Sequence, residues 1–213
     1  MRGFWRGKRV VITAGPTREA LDPVRYLSNA SSGRMGWALA RAARRQGARV
    51  TLIAGPTALA RPAGVRWVPV VSARDMHQAA LRHGRSSDAF IGAAAVADWR
   101  PAVLRRSKLK KSGAPPRLRL VTNPDILKSI ADGRRGGRPR VAGFALETTA
   151  LLRSARQKMS DKKLDLIVAN PTRVIGGDRT EAWILTPGAS PVRVRGSKDA
   201  VARRVLTSLA GIP

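Results

Sequence analysis

Two stretches hold residue types suited to chemistry on a phosphorylated substrate. The first runs Ala14-Gly15-Pro16-Thr17-Arg18-Glu19, then Asp22-Pro23-Val24-Arg25-Tyr26-Leu27-Ser28-Asn29-Ala30-Ser31-Ser32-Gly33-Arg34-Met35-Gly36. Ser31, Ser32 and Gly33 stand where a helix begins. Hydroxyls, free N–H groups and the positive end of a helix dipole would converge there on a phosphate. The spacing is neither a dinucleotide fingerprint nor a P-loop, which ends in Gly-Lys-Ser/Thr. On spacing alone, a simple N-cap fits the serines equally well. The second stretch is Gly92-Ala93-Ala94-Ala95-Val96-Ala97-Asp98-Trp99-Arg100-Pro101. Small residues at a strand end let a planar base approach the backbone, and Asp98 adds one carboxylate at the rim. Lys108-Leu109-Lys110-Lys111 follows; such a run fits a solvated face, and inside an irregular insertion it equally fits compact charges that close over a triphosphate.

These stretches need a scaffold, and the hydrophobic pattern supplies one. Lys8–Thr13 reads as a buried strand, Gly33–Gly47 as an amphipathic helix and Arg49–Ala54 as the next strand. Such a unit implies a parallel sheet with a right-handed crossover. The alternation goes on: strand Val65–Val71, helix Ser72–His83 capped by Ser72, strand Asp88–Ala94, strand Arg140–Leu146, helix Thr148–Lys163 and strand Leu164–Ala169. A hairpin, Trp183–Thr186 with Val192–Arg195, and a helix Ser197–Ala210 capped by Ser197 close the chain. The fold expected is α/β: a Rossmann-like parallel sheet flanked by helices, with a C-terminal hairpin. Residues 99–123 break the rhythm as an irregular lid insertion holding a short alternating strand, Arg117–Val121. With no repeat and no linker, 1–213 reads as a single domain. Ligands of such sheets bind at the carboxyl ends of the strands, where both stretches lie.

Composition bounds the chemistry. The chain has 213 residues, no cysteine and two histidines, His77 and His83. Disulfides and a protein thiol nucleophile are excluded, and a histidine-rich zinc site is disfavoured. No apolar run approaches the ~18 residues of a membrane span, and no secretory signal is expected. The net charge is +28, with 41 basic against 13 acidic residues. That field attracts polyanions. The charge is spread along the chain and aromatics are only 4%, which argues against a stacking platform for single strands. A solvated arginine-rich surface ranks ahead of specific nucleic-acid binding.

The ordered motifs carry a resemblance. Thr13–Glu19, Asp22–Tyr26, Ser28-Asn29, Ser31–Gly33 and Met35-Gly36 resemble the opening of phosphopantothenate–cysteine ligases. The resemblance continues through Ala93–Asp98, Lys108–Lys111, Asn123–Leu127, Gly143–Ala145 with Glu147-Thr148, and Lys162–Asp165 with Ala169-Asn170. It implies a cytoplasmic ligase of coenzyme A biosynthesis. That enzyme joins 4′-phosphopantothenate to L-cysteine, in bacterial members with CTP. The pantothenoyl carboxylate attacks the α-phosphate and expels pyrophosphate with the help of Mg²⁺; the cysteine amine then displaces CMP from the acyl-cytidylate. Positioning and charge neutralisation dominate such chemistry.

The same resemblance implies residue roles. Asn29 would hold the acyl intermediate, and Lys108 would be the lid lysine needed for turnover. Arg25, Ser31, Ser32 and Gly33 fall on the phosphopantothenate and phosphate side. Gly15, Gly92, Ala93, Ala94, Asp98 and the loop Pro124, Asp125, Ile126 and Leu127 fall on the nucleotide side. Phe144 would pack on the base or ribose, and Lys158 and Lys162, four apart on one helical face, would approach the nucleotide. No metal ligands are assigned. A symmetric homodimer is expected, with Arg117–Val121 a candidate for pairing across the two-fold.

There are departures. The family's Phe-x-Ser-Asp-x-Asn stretch is replaced by Ile175-Gly176-Gly177-Asp178-Arg179-Thr180, so that loop receives no site residue. The flavin-dependent decarboxylase half usually fused ahead is not in this chain, so no flavin is expected here. Whether the decarboxylase is a fused domain or a separate partner stays open. A nicotinamide-dependent reductase would need an acidic residue ending the second strand, where Gly55-Pro56 stands. A polyanion-binding protein on a retained ligase scaffold is the other alternative.

Overall fold

The computed structural model describes residues 3–111, 116–172 and 179–212. Its centre is an eight-stranded sheet. In chain order the strands are β1 (Arg9–Ala14), β4 (Arg49–Ala54), β5 (Arg66–Pro69), β6 (Ala89–Gly92), β9 (Arg140–Glu147), β10 (Leu166–Pro171), β11 (Arg179–Leu185) and β12 (Val192–Ser197). Across the sheet the order is β5-β4-β1-β6-β9-β10-β11-β12. The first six pair in parallel, and β11 pairs antiparallel with both β10 and β12. The chain moves outward from β1 through β4 to β5, then returns to lay β6 on the other side of β1. A crevice must open at that reversal, beyond the carboxyl ends of β1 and β6.

Helices cover both faces, as near-continuous apolar strands require. On one face lie α1 (Arg34–Arg45) and α5 (Lys198–Ala210), whose Trp37, Leu39, Val205 and Leu206 pack on Ile12 and Leu52. Trp5 is buried in the same layer and donates its indole N–H to the Leu206 carbonyl. On the other face lie α2 (Ala73–Gly84), α3 (Ile126–Asp132) and α4 (Leu151–Asp161), whose Met76, Ile130 and Ala155 meet Val11, Phe90 and Ile167. The expected caps of α2 and α5 are present. Ser72 forms a capping box with Asp75, and Ser197 accepts the Ala200 N–H.

Three local expectations are corrected, and one element is added. Between β1 and α1, β2 (Arg18–Ala20) and β3 (Tyr26–Ser28) pair as a short hairpin, too brief for period-two alternation to show. Pro124–Leu127 is not wholly a loop, because Ile126 and Leu127 open α3, capped by Asp125. The helix expected to include Lys162 ends at Asp161, with Lys162 as its C-cap. The strand expected at Arg117–Val121 is β8 (Leu120–Thr122), which pairs within the chain on β7 (Trp99–Pro101). One of its edges is therefore occupied by its own lid.

Candidate functional site

The site is built where β1 and β6 end side by side, Thr13 opposite Gly92. The two following segments continue together. Ala95 donates to the Gly15 carbonyl at 2.9 Å, Thr17 donates back to Ala95 at 3.3 Å, and the buried Thr17 hydroxyl accepts Ala97 N–H at 3.0 Å. Gly15 sits at φ +76°, and an added Cβ would lie 2.9 Å from the Thr57 methyl. Its freedom lets the chain turn here. Gly15 itself is not among the residues that line the cleft described below.

Asn29 crosses this junction. Its Nδ2 donates to the carbonyls of Ala95 at 3.2 Å and Val96 at 3.1 Å. The side chain thereby ties the first stretch to the second and keeps its amide oxygen as a free acceptor function. The helix beyond corrects the simplest reading of the serines. The N-cap of α1 is Gly33 at φ +74°, with no side-chain hydrogen bond to the helix, and Ser31 Oγ only accepts Gly33 N–H at 3.3 Å. A helix start without a side-chain cap leaves its first N–H groups for another acceptor.

A cavity of about 600 Å³ opens at this point. Asn29, Ser31, Ser32 and Gly33 line it, with Ala93, Ala94, Asp98, Phe144 and Lys158. A second cavity of about 310 Å³ shares Ala94, Asp98, Phe144 and Lys158 with it, and adds Gly92, Pro124, Asp125, Ile126, Leu127 and Lys162. Through these shared residues they form one cleft that runs from the start of α1 to the Pro124–Leu127 segment. The cleft's charges are placed by ion pairs. Lys158 Nζ lies 2.6 Å from Glu147 Oε1, and Lys162 Nζ lies 2.9 Å from Asp125 Oδ2. The two lysines do reach the same end of the cleft, although only Lys158 is helical.

Two of the expected residues stand outside it. Lys108 is exposed on the lid and lines neither cavity, and Arg25 is held away by Asp22 at 2.7 Å. The two are nevertheless strapped together. The buried Asp22 carboxylate accepts N–H groups of Val24, Arg25 and Leu109, and the Arg25 guanidinium also donates to the Leu109 carbonyl at 2.5 Å. Burial raises the Asp22 pKa, but these donors outweigh it and hold the carboxyl well below the usual carboxylate range.

Other lining residues carried no assignment from the sequence. Asn170 donates to Thr180 Oγ1 at 3.2 Å, and both line the larger cavity with Lys198 from the start of α5. No spacing rule connects positions so far apart in the chain. Asn123 was visible only as part of a motif. It donates to the Ala97 carbonyl at 2.9 Å and so fixes the floor of the smaller cavity. Residues 173–178, most of the divergent loop, lie outside the described residues.

A parallel sheet in this order, with a polar cleft at its reversal, defines a Rossmann-like α/β protein. Within that class the chain belongs to the DNA/pantothenate metabolism flavoprotein C-terminal domain family, which matches residues 5–212. It is 49% identical over 172 residues to the coenzyme A biosynthesis bifunctional protein CoaBC of Vibrio cholerae, covering 80% of this chain and 43% of that protein. Against CoaBC of Escherichia coli the identity is 47% over 176 residues, covering 79% and 43%. The chain thus spans less than half the length of these relatives. A crystal structure of the C-terminal domain of a CoaBC superposes with a TM-score of 0.84 at 36% identity, covering 98% of this chain and 96% of that one. A Cab2 mutant complex with phosphopantothenate-cysteine shares the fold, with a TM-score of 0.78 at 16% identity and coverage of 96% and 85%. The family read from the ordered motifs is the family these comparisons show.

Proposed function

We propose that this chain is a phosphopantothenate–cysteine ligase domain of coenzyme A biosynthesis that activates its carboxylate substrate with CTP. The observation that carries this reading is the continuous cleft joining Asn29 and the uncapped start of α1 to Phe144, Lys158 and Lys162. A nucleotide laid along it puts its phosphates against the free N–H groups of α1 and its base at the small residues Gly92, Ala93 and Ala94. The carboxylate of 4′-phosphopantothenate attacks the α-phosphorus, pyrophosphate leaves, and an acyl-cytidylate forms. The amine of cysteine then attacks the acyl carbon and CMP departs. The protein's share is orientation and charge neutralisation. Asn29 orients the acyl group, Lys158 faces the phosphates, and Lys108 arrives only when the lid closes.

Mg²⁺ fits this donor set. Asp98 is an exposed carboxylate that lines the same cavity as Ser31 and Ser32. Magnesium commonly takes one or two carboxylates and completes its shell with substrate phosphates and water. Bound there, it would neutralise phosphate charge.

A homodimer completes the proposal. The lid and the adjoining hairpin expose Val24, Tyr26, Trp99, Val103, Leu104, Leu118 and Leu120. Exposed apolar side chains on two adjoining segments are the kind of surface a second subunit covers. A flavin-dependent decarboxylase, fused or separate, supplies the following step.

The test is pyrophosphate release with CTP, 4′-phosphopantothenate and cysteine, omitting each in turn. CTP and phosphopantothenate together should release about one pyrophosphate per site, and cysteine should make release continuous. Equal turnover with ATP would remove the CTP preference. Release that ignores phosphopantothenate would remove the ligase reading itself.

A further inference from the structure

The amino-terminal edge of the parallel sheet lies at the opposite end of the strands from the cleft. It holds a second concavity of about 590 Å³, and five arginines line it: Arg9, Arg44, Arg49, Arg66 and Arg82. Three of them, Arg9, Arg49 and Arg66, are the first residues of β1, β4 and β5; Arg9 and Arg49 are register partners, and Arg66 pairs with Thr51, two residues further along β4. Arg44 and Arg82 come from the last turns of α1 and α2.

The arginines of the helix ends have an ordinary role, because cations there offset the negative end of the helix dipole. That role does not reach the strand-start arginines. Two helix ends carry about half a negative charge each, against five full positive charges. One nearby carboxylate, Asp88, feels the Arg9 charge and offsets only part of the difference. Among the described residues none of the five forms an ion pair; Arg44 donates instead to the Gly64 carbonyl at 3.1 Å. The neighbouring acid, Asp88, accepts the Arg9 backbone N–H at 2.8 Å, while its other oxygen faces Arg138 at 2.5 Å and Lys8 at 3.8 Å. Clustered guanidiniums on a concave floor repel one another until an anion joins them.

We propose that this concavity is a binding site for a small oligophosphate anion, distinct from the ligase cleft. Arg49, Arg66 and Arg82 offer it guanidinium forks that suit phosphate oxygens bidentately. The site gives part of the +28 charge a local purpose that a nucleotide cleft at the other end of the strands does not supply.

His83 lines the concavity, and its imidazole is held below its ordinary pKa by burial and then by Arg66 and Arg82. It is a built-in reporter. The other histidine, His77, contacts Ser129 Oγ at 3.0 Å and feels Asp125, a residue of the ligase cleft. Inorganic tripolyphosphate is the probe, titrated at physiological ionic strength while both imidazoles are followed by NMR. The expected result is a saturable shift of His83 with an upward move of its pKa. Arg49→Ala with Arg66→Ala should raise the half-saturation concentration about tenfold or more. Charge reversal by Arg66→Glu alone should do the same, and circular dichroism will show that both variants fold. The proposal is overturned if His83 stays still, or if its shift follows His77 and ignores both variants. It is equally overturned if a short DNA duplex saturates His83 and tripolyphosphate does not, since the face would then be a nucleic-acid surface.

Discussion

The Asp22 carboxylate accepts the backbone N–H of Leu109 across 87 positions of sequence at 3.1 Å. Lys108 is therefore anchored by its neighbour, while its own side chain stays free. The same carboxylate holds Arg25, so one buried acid sets both the lid and the turn before Asn29. Asp22→Asn keeps the size but loses the charge that Arg25 and Leu109 share. Turnover should fall about tenfold to a hundredfold, the scale of a misplaced catalytic group, with CTP affinity nearly unchanged. Steady-state kinetics and calorimetry on one preparation will check this.

Acid should loosen the same strap. The Asp22 pKa is depressed in the folded state, so its contribution is complete above the unfolded value of about 3.9 and is lost as pH falls below it. His77 and His83 are also lowered, by burial first and then by arginines. Their contribution is complete above about 6.5 and declines as pH drops through that value. Urea denaturation should thus show two successive losses of stability on acidification. In Asp22→Asn the second should be smaller and the first unchanged.

Lys158 and Lys108 should separate by what they affect. Lys158 lines both arms of the cleft, so Lys158→Ala should weaken CTP binding by about tenfold or more, as loss of a charged hydrogen bond does. Lys108 is exposed and outside the cleft, so Lys108→Ala should leave CTP binding and the melting temperature unchanged. It should lower turnover by about a hundredfold or more if the lid delivers a charge to the phosphates. Calorimetry followed by pyrophosphate release separates the two.

Asn29 uses its amide N–H group on the Ala95 and Val96 carbonyls. Asn29→Asp would set an anion against those two oxygens and against the acyl phosphate. Chemistry should suffer more than CTP affinity, and the acyl-cytidylate should escape into solution instead of being held. A large loss of CTP affinity with normal retention of the intermediate would move Asn29 to the nucleotide.

Gly36 fixes how closely α1 approaches β1. A Cβ at this position would sit 2.3 Å from the Ala14 Cβ, and both partners are in rigid elements. Gly36→Ala should destabilise the protein by about 1–3 kcal/mol, the usual scale of overpacking. Because the start of α1 lines the cleft, nucleotide affinity should fall as well. Chemical denaturation and CTP titration of the same variant will show whether the two losses go together.

The sequence by itself determined the layered α/β architecture, because strands such as Val10–Ala14 and helices such as Arg34–Arg45 write their burial into local periodicity. It also marked the residues from Asn29 to Gly33 and from Gly92 to Asp98, since small residues at strand ends and polar residues at a helix start act through nearby backbone. Tertiary structure alone decided that Lys198, Thr180 and Asn170 line the same cavity as Asn29. It also decided that Lys108 lies outside the cleft, and that Arg9, Arg49 and Arg66 line one concavity at the opposite edge. Each of these depends on sheet order and register. Both follow from the summed packing of many distant residues, which no short window of sequence contains.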